Sequence, residues 1–270
     1  MIDPLLHLIG RAGAWEPWIL LMLFFDASAL ILWRLESMSG KGIEGTVLGT
    51  LIMPYCTGIG NLIFVVVMAR HFGTGEEVMV NCLVNNATNL TLLIGLPTIF
   101  WGMTVLPDGK AKKKEIQEKL VNRMSLTITI VAALFFTGCV WFLSRDGELN
   151  RADGFVLIVF FLFWQCMQVG EVMKLNVIKN QSLPERLWLD FLLLIVGGFL
   201  MYVSVEGLVN WLAGIESGFI RDENIGWLSG WLLVLPNAVM AMYYGWKRKP
   251  DIVYSSQVGD GHICIPLCLG

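Results

Sequence analysis

Charged residues are scarce in this chain of 270 residues, of which only 15% are Asp, Glu, Lys or Arg. Soluble globular domains carry about 25% charged residues, so the composition argues against a soluble domain. The three histidines are scattered as His7, His71 and His262, and the sequence contains no nucleophile elbow, phosphate-binding loop or metalloprotease motif. An enzyme is therefore not expected, no cofactor is indicated, and a net charge of −3 gives no reason to expect nucleic-acid binding.

The six cysteines show neither a CxxC pattern nor mixed Cys/His spacing. All of them lie within apolar stretches, so we expect small buried side chains and neither disulfides nor a zinc site. They are Cys56, Cys82, Cys139, Cys166, Cys264 and Cys268.

Long apolar stretches recur along the whole chain, and 56% of its residues are hydrophobic. A helix of about 20 residues crosses a hydrocarbon layer of ~30 Å, and lipid offers no partner to an unpaired backbone group. The sequence predicts an all-α integral membrane protein of about eight transmembrane helices, in a bacterial-type inner membrane or a plasma membrane. The predicted spans are 17–34, 43–69, 78–104, 124–144, 154–173, 188–212, 225–246 and 252–270.

Lys and Arg residues are distributed unequally between the connections of these spans. If the N-terminus lies outside, most of the 19 basic residues fall on inner connections, including the cluster between Lys110 and Arg123. Cytoplasmic connections carry this excess in membrane proteins, so the N-terminus is predicted outside. The basic cluster is interpreted as a topology-setting loop, with binding of anionic lipid as the alternative.

The third predicted span carries the run VNCLVNNATNLTLLIG at residues 80–95. Asn81, Asn85 and Asn89 are spaced by four, so they share one face of a helix. On that face, amide oxygens could replace part of a cation's hydration shell. Alternatively, the amides form hydrogen bonds between helices, each contributing about 1 kcal/mol.

The polar run belongs to a pattern that occurs twice. Residues 61–95 and 237–270 each contain an Asn, an apolar half-helix, a short turn with Gly and charge, a polar run and a closing apolar segment ending in Gly. The charge distribution gives the two segments opposite topology, which is the layout of many secondary transporters with a site at mid-membrane. We expect two inverted repeats, residues 1–180 and 187–270, whose polar runs meet.

These motifs resemble those of the Ca2+/cation antiporter superfamily, the sodium/calcium exchangers and their relatives. That family carries G-T-S-L-P-E on one helix of each repeat and G-N-x-x-G-S-N-x-x-N on the next. Here CTGIGN at residues 56–61 stands in place of the first motif, and LLVLPN at 232–237 stands in its second copy. Asn61 and Asn237 therefore occupy the positions where the family has Glu.

The resemblance implies an inverted-repeat bundle of the cation-exchanger type with a cation path at mid-membrane. The second motif corresponds to Asn85 and Asn89 in the first repeat, and to Asp260 and Cys264 in the second. The residues implied for the cation path are Thr57, Asn61, Asn85, Asn89, Asn237, Asp260 and Cys264.

The departures from the family pattern concern charge. The family holds Ca2+ with carboxylates at both first-motif positions, whereas Asn61 and Asn237 are neutral. Asp260 is the remaining carboxylate of the motifs, at a position that in relatives lies toward a flanking Na+ site. A carboxylate among apolar helices is costly to keep charged, so it could exchange a proton or hold one monovalent cation. The alternative is a solvated Asp at the mouth of an incomplete last helix.

Two functions remain open at this stage. One is a secondary cation transporter with a carboxylate-poor site, performing cation or proton antiport. The other is a degenerate, transport-impaired member of the superfamily that serves as an accessory or structural subunit of a larger membrane complex. The second is favoured by the missing carboxylates and by an expected incomplete last repeat, since the family has five helices per repeat. The expected partners are the lipid bilayer, a monovalent cation or proton and, for the second function, such a complex.

Overall fold

The structure is a computed structural model that describes residues 3–40, 53–71, 75–104, 113–179, 187–215 and 224–270. Helices make up almost all of these ranges, and no strand occurs within them. The all-α prediction is therefore confirmed. The helices are α1 Asp3–Gly10, α2 Glu16–Gly40, α3 Met53–His71, α4 Glu76–Trp101, α5 Lys113–Leu143, α6 Arg151–Lys179, α7 Leu187–Ala213, α8 Ile225–Trp246 and α9 Pro250–Cys264.

Six stretches in the described ranges are long and apolar enough to cross a membrane. They lie in α2, α4, α5 with the turn after it, α6, α7 and α8. In α3 the apolar stretch is shorter, Gly58–Arg70, and residues 43–52 of the second predicted span lie outside the described residues. The predicted count of eight and the N-out orientation stay predictions.

The last predicted span, 252–270, is wrong as a continuous helix. The helix α9 ends at Cys264, and residues 265–268 form turns. Pro266 explains the end, because its ring has no N–H to donate and clashes with the carbonyl four residues earlier. The N–H of Cys268 bonds to the carbonyl of Ile263 at 3.0 Å instead, which closes a turn after the helix.

The helices α4 and α8 pack along each other more extensively than any other pair of the described helices. Glycines on α8 permit this approach: a Cβ at Gly226 would lie 2.5 Å from the carbonyl oxygen of Glu77, and one at Gly230 would lie 3.0 Å from Val84. Small residues at helix contacts are the usual means of close packing in membranes. The helices α4 and α8 are thereby fixed against each other.

The helix contacts within and between the two proposed repeats are equivalent in pairs. The helix α3 packs on α9 as α8 packs on α4, and α3 contacts α4 as α8 contacts α9. Each contact maps onto another when α3 and α4 are exchanged for α8 and α9. This pattern is expected of two repeats around a pseudo-two-fold axis, although the inverted relation and the limits 1–180 and 187–270 stay predictions.

The remaining long helices surround this four-helix centre. The helices α2 and α7 pack on each other and share a buried ion pair, with Arg34 Nη1 3.5 Å from Asp190 Oδ1. On another side, α5 packs on α9, and the ring of His262 on α9 contacts those of Phe136 on α5 and Trp164 on α6. The ring nitrogen Nε2 of His262 is 2.9 Å from the carbonyl oxygen of Thr129. The centre is thus enclosed by helices on both sides.

Candidate cation site

Four helices each place one polar side chain at the centre of the bundle. Asn61 comes from α3, Asn89 from α4, Asn237 from α8 and Asp260 from α9, and none is more than 1% exposed. Full burial of a carboxylate contradicts the alternative of a solvated Asp260 at the mouth of the last helix.

Hydrogen bonds join three of these residues into one network. The amide Nδ2 of Asn89 donates to Asp260 Oδ2 at 2.6 Å and to Asn85 Oδ1 at 2.7 Å. Asn237 Nδ2 in turn donates to Asn89 Oδ1 at 3.3 Å. Asn89 is therefore the hub, and its amide nitrogen faces the carboxylate because an amide oxygen there would repel it. Cys264 adds a weak bond, from its thiol to Asp260 Oδ2 at 3.6 Å.

Asn61 is connected to this network by position. It lies three residues after Gly58 on α3, so both are on one helix face. A Cβ at Gly58 would lie 3.2 Å from Asp260 Oδ1, which means that the bare backbone of Gly58 borders the carboxylate. The missing side chain of Gly58 lets α3 approach Asp260.

Several amide atoms at this centre have no hydrogen-bond partner among the described residues. They are both Oδ1 and Nδ2 of Asn61, Oδ1 of Asn237 and Nδ2 of Asn85. Buried polar groups are nearly always paired, and an unpaired one costs about 1–3 kcal/mol. The oxygens of Asn61 and Asn237 are therefore available to a ligand.

The asparagine face of α4 divides into two roles. Asn85 and Asn89 join the network around Asp260, whereas Asn81 Nδ2 donates to Ser229 Oγ on α8 at 2.9 Å. Asn81 thus forms a hydrogen bond between helices. For this residue the structure agrees with the alternative interpretation of the asparagine face. Asn86 is also buried and fits against Gly261, where a Cβ would lie 2.5 Å from its Oδ1.

The remaining residues predicted from the sequence are Thr57 and the cysteines. The side chain of Thr57 lies outside the described residues. The expectation of buried cysteines is wrong for Cys166, which is exposed on α6, and Cys139 is only half-buried. Cys82, Cys264 and Cys268 are buried free thiols, and the side chain of Cys56 lies outside the described residues. Exposed hydrophobic side chains are what a helix facing lipid presents, so the position of Cys166 has an ordinary explanation.

Two residues near the site were not singled out from the sequence. Gly58 borders Asp260 through its missing side chain, and Gln257, one turn before Asp260 on α9, is fully buried with Oε1 unpartnered among the described residues. The spacing of three between Gln257 and Asp260 was a usable signal, because it puts both on one helix face. Within the described part of the chain, no cluster of three or more His, Cys, Asp or Glu side chains is arranged to hold a metal ion.

Comparisons with known proteins agree on a family of membrane exchangers. The family model described as sodium/calcium exchanger protein matches residues 12–170. The sodium/calcium exchanger MaX1 of Methanosarcina acetivorans is 26% identical over 121 residues, which are 45% of this chain. The match spans 30% of that relative's own length.

Solved structures show the same fold. The sodium-calcium exchanger NCX_Mj, soaked with 2.5 mM Na+ and 0.1 mM Sr2+, superposes with a TM-score of 0.61 at 18% identity, covering 93% of this chain and 78% of that one. An H+/Ca2+ exchanger, CAX, gives a TM-score of 0.62 at 14% identity, covering 93% and 65%. At such identities the likeness shows the shared fold alone.

Proposed function

We propose, because this chain belongs to the sodium/calcium exchanger protein family, that it is a secondary transporter exchanging one monovalent cation for a proton at Asp260. The chain is an integral membrane protein and not an enzyme. The transported ion is expected to differ from Ca2+, because the positions where the family has carboxylates are here the neutral Asn61 and Asn237.

The single observation that carries the proposal is the fully buried carboxylate of Asp260 at the meeting of α3, α4, α8 and α9. One carboxylate neutralises one positive charge. A divalent cation would leave a net positive charge among apolar helices, and an unpaired buried charge is expensive. A monovalent cation or a proton leaves the site neutral.

Neutral oxygens complete the coordination in this proposal. The Oδ1 atoms of Asn61 and Asn237 lack hydrogen-bond partners among the described residues, and both are suited to a dehydrated alkali cation. Asn89 holds the carboxylate from its other oxygen, through the 2.6 Å bond to Oδ2. In this proposal Asn89 orients the carboxylate of Asp260, and the amide oxygens of Asn61 and Asn237 complete the coordination of the cation.

The exchange follows from the same charge balance. When the cation leaves, an ionised carboxylate among apolar helices is costly, so Asp260 takes up a proton in this proposal. When a cation enters, the O–H bond breaks and the proton leaves to water. Competition between the two at one carboxylate is sufficient for antiport, provided that the site opens to one membrane face at a time.

The test is flux in proteoliposomes, driven by gradients of pH and of Na+, for the unchanged chain and for Asp260→Asn. The isosteric change removes the charge and should abolish coupled flux while the size-exclusion profile stays monodisperse. Asp251→Asn is the matched control, because Asp251 lies in the first turn of the same helix α9, where it is only partly buried. Equal, nonzero flux from the Asp260→Asn and unchanged chains would refute the proposal.

A second function is favoured by the neutral residues at Asn61 and Asn237. A relative that has lost both carboxylates could serve as an accessory or structural subunit of a larger membrane complex. That function predicts no flux from the unchanged chain in liposomes prepared in the same way as those in which an active exchanger transports its ions normally. It also predicts stoichiometric co-purification with other membrane proteins under mild detergent extraction.

A further inference from the structure

An aspartate lies on the outer side of α2, near the middle of the helix. The apolar span that contains this helix is Gly13–Met38, and Asp26 is at its centre. Trp18 and Trp33 are both 62% exposed, and they lie eight residues before and seven residues after Asp26. Tryptophan is enriched at the two membrane interfaces, and at 1.5 Å per residue these two are roughly 22 Å apart along the helix. Asp26 is therefore placed at mid-membrane.

The side chain of Asp26 points away from the rest of the bundle. The helix α2 turns its opposite side toward α7, and Leu20, Ala27 and Ile31 are buried there. Asp26 is exposed, and within the described ranges no hydrogen bond or ion pair joins it to another residue. Ionisable side chains in membrane helices rarely face lipid and almost always pair with another group. We therefore expect the partner of Asp26 to come from another molecule.

The residues around Asp26 have the spacing of a contact between two helices. Asp26 shares its side of α2 with four other exposed residues, and together they form the α2 stripe: Ile19, Met22, Asp26, Ala29 and Trp33. Their spacing alternates between three and four residues, as it does at the seam between two packed helices. Ala29 is small and lies one turn from Asp26, and small residues let a second helix approach closely in membranes. The α2 stripe therefore fits a helix.

The charge at the centre of the α2 stripe determines which helix fits. The basic residues within the six described spans are Arg34, Arg145 and Arg151. Arg145 and Arg151 lie at the ends of their spans, and Arg34 is buried and paired with Asp190. A second copy of the chain that packed through the same stripe would bring two Asp26 carboxylates together, and like charges repel. The described spans of a second copy therefore offer Asp26 no opposite charge at mid-membrane.

We propose that the α2 stripe binds a transmembrane helix of another protein that carries Lys or Arg at mid-membrane, opposite Asp26. The basic side chain pairs with the carboxylate, so each charge is compensated within the lipid. Ala29 lets the partner helix approach, and Asp26 sets its register, as a single polar residue at a helix seam does. The interface is separate from the buried Asp260 on α9, and it holds whether or not the chain transports ions.

The test uses the full-length chain in liposomes and a synthetic transmembrane peptide of Leu and Ala with one central Lys. Energy transfer from a donor on the N-terminus of the chain to an acceptor on the peptide gives the dissociation constant as a mole fraction in lipid. The Lys peptide should bind at least about tenfold more tightly than a matched peptide with Leu at that position. Equal binding of the two peptides by the unchanged chain would overturn the proposal.

Two variants of α2 locate the charge that the Lys peptide recognises. Asp26→Asn should abolish the preference for the Lys peptide, because the isosteric amide carries no charge. Glu36→Gln is the matched control, since Glu36 is an exposed carboxylate on the same helix, ten residues nearer its end. Glu36 accepts a hydrogen bond from Tyr243 that a Gln side chain also accepts, so this variant should keep the preference. An undiminished preference in Asp26→Asn would overturn the proposal.

A change of bulk on the α2 stripe tests whether the peptide packs there as a helix. Ala29→Phe leaves the charge of Asp26 in place but should weaken binding of the Lys peptide at least about threefold, because it prevents close approach. Phe25→Leu should have no effect, since Phe25 is exposed beside the stripe. Equal binding by the Ala29→Phe and unchanged chains would show attraction without helix packing, and the α2 stripe would not be the interface.

Self-association is measured by energy transfer between copies of the chain labelled with donor and with acceptor. The unchanged chain and Asp26→Asn should give the same transfer, because the α2 stripe does not pair with itself. Dimers of the unchanged chain that Asp26→Asn dissociates would make a second copy the occupant of the stripe and would overturn the proposal.

Discussion

Replacing Asn61 by Leu is expected to stabilise the folded chain relative to the same replacement at Asn81. Both side chains are fully buried, and both changes add similar bulk, so the cost of repacking is matched. At Asn61 the change removes two amide atoms that have no partner among the described residues. At Asn81 it removes one such atom, Oδ1, and breaks the 2.9 Å bond to Ser229.

The difference between the two variants can be estimated from these atoms. One additional unpaired group removed at Asn61 is worth about 1–3 kcal/mol, and the hydrogen bond lost at Asn81 costs about 1 kcal/mol. The Asn61→Leu variant should therefore be more stable than Asn81→Leu by about 2–4 kcal/mol. At roughly 2–4 °C per kcal/mol for a chain of this size, its midpoint should lie at least about 4 °C higher.

The assay is thermal unfolding of the detergent-purified chain in choline buffer, followed by intrinsic fluorescence. Adding Na+ should raise the midpoint of the unchanged chain by ligand linkage and leave that of Asn61→Leu unmoved. If Asn61→Leu melts as low as Asn81→Leu and both respond to Na+ like the unchanged chain, Asn61 is a structural contact between helices. The idea of a ligand site left open at Asn61 would then be refuted.

Two further changes test the composition of the site. Gly58→Ala should weaken Na+ binding about tenfold, because the new Cβ would lie 3.2 Å from Asp260 Oδ1. The control Gly95→Ala on α4 should have no effect, since nothing lies within 4 Å of a Cβ at that position. Equal Na+ affinities of the two variants by calorimetry would contradict this role of Gly58. The unchanged chain should bind no Ca2+ at micromolar concentration, and the Asn61→Glu/Asn237→Glu variant should gain such binding, because a dehydrated divalent ion needs carboxylate charge. Micromolar Ca2+ binding at the centre of the unchanged chain would show that Asn61 and Asn237 are no obstacle.

The fold class could be predicted from the sequence because membrane helices need long apolar runs. The predicted spans 188–212 and 225–246 agree within a few residues with α7 Leu187–Ala213 and α8 Ile225–Trp246. The end of α9 was mispredicted because ICIPLCLG stays apolar past Pro266. In that segment the backbone requirement of one proline outweighs the hydrophobic pattern.

The candidate site was only partly predictable. The repeat indicated that Asn89, Asn237 and Asp260 would meet, and hydrogen bonds join all three. The sequence could not distinguish Asn81 from Asn85, because both lie on one face of α4. Their roles depend on how α4 and α8 are rotated and how closely they approach, which the packing at Gly226 and Gly230 determines.

Proton release on cation binding tests most directly whether Asp260 exchanges a proton for one monovalent cation. NaCl is added to the purified chain in weakly buffered solution near neutral pH, a pH-indicator dye records released protons, and choline chloride is the control. The unchanged chain should release close to one proton for each Na+ bound, and Asp260→Asn should release none, since its amide carries no exchangeable carboxyl proton. Undiminished release from Asp260→Asn, or Na+ binding by the unchanged chain without proton release at any pH between about 5 and 9, would contradict cation–proton exchange at this carboxylate.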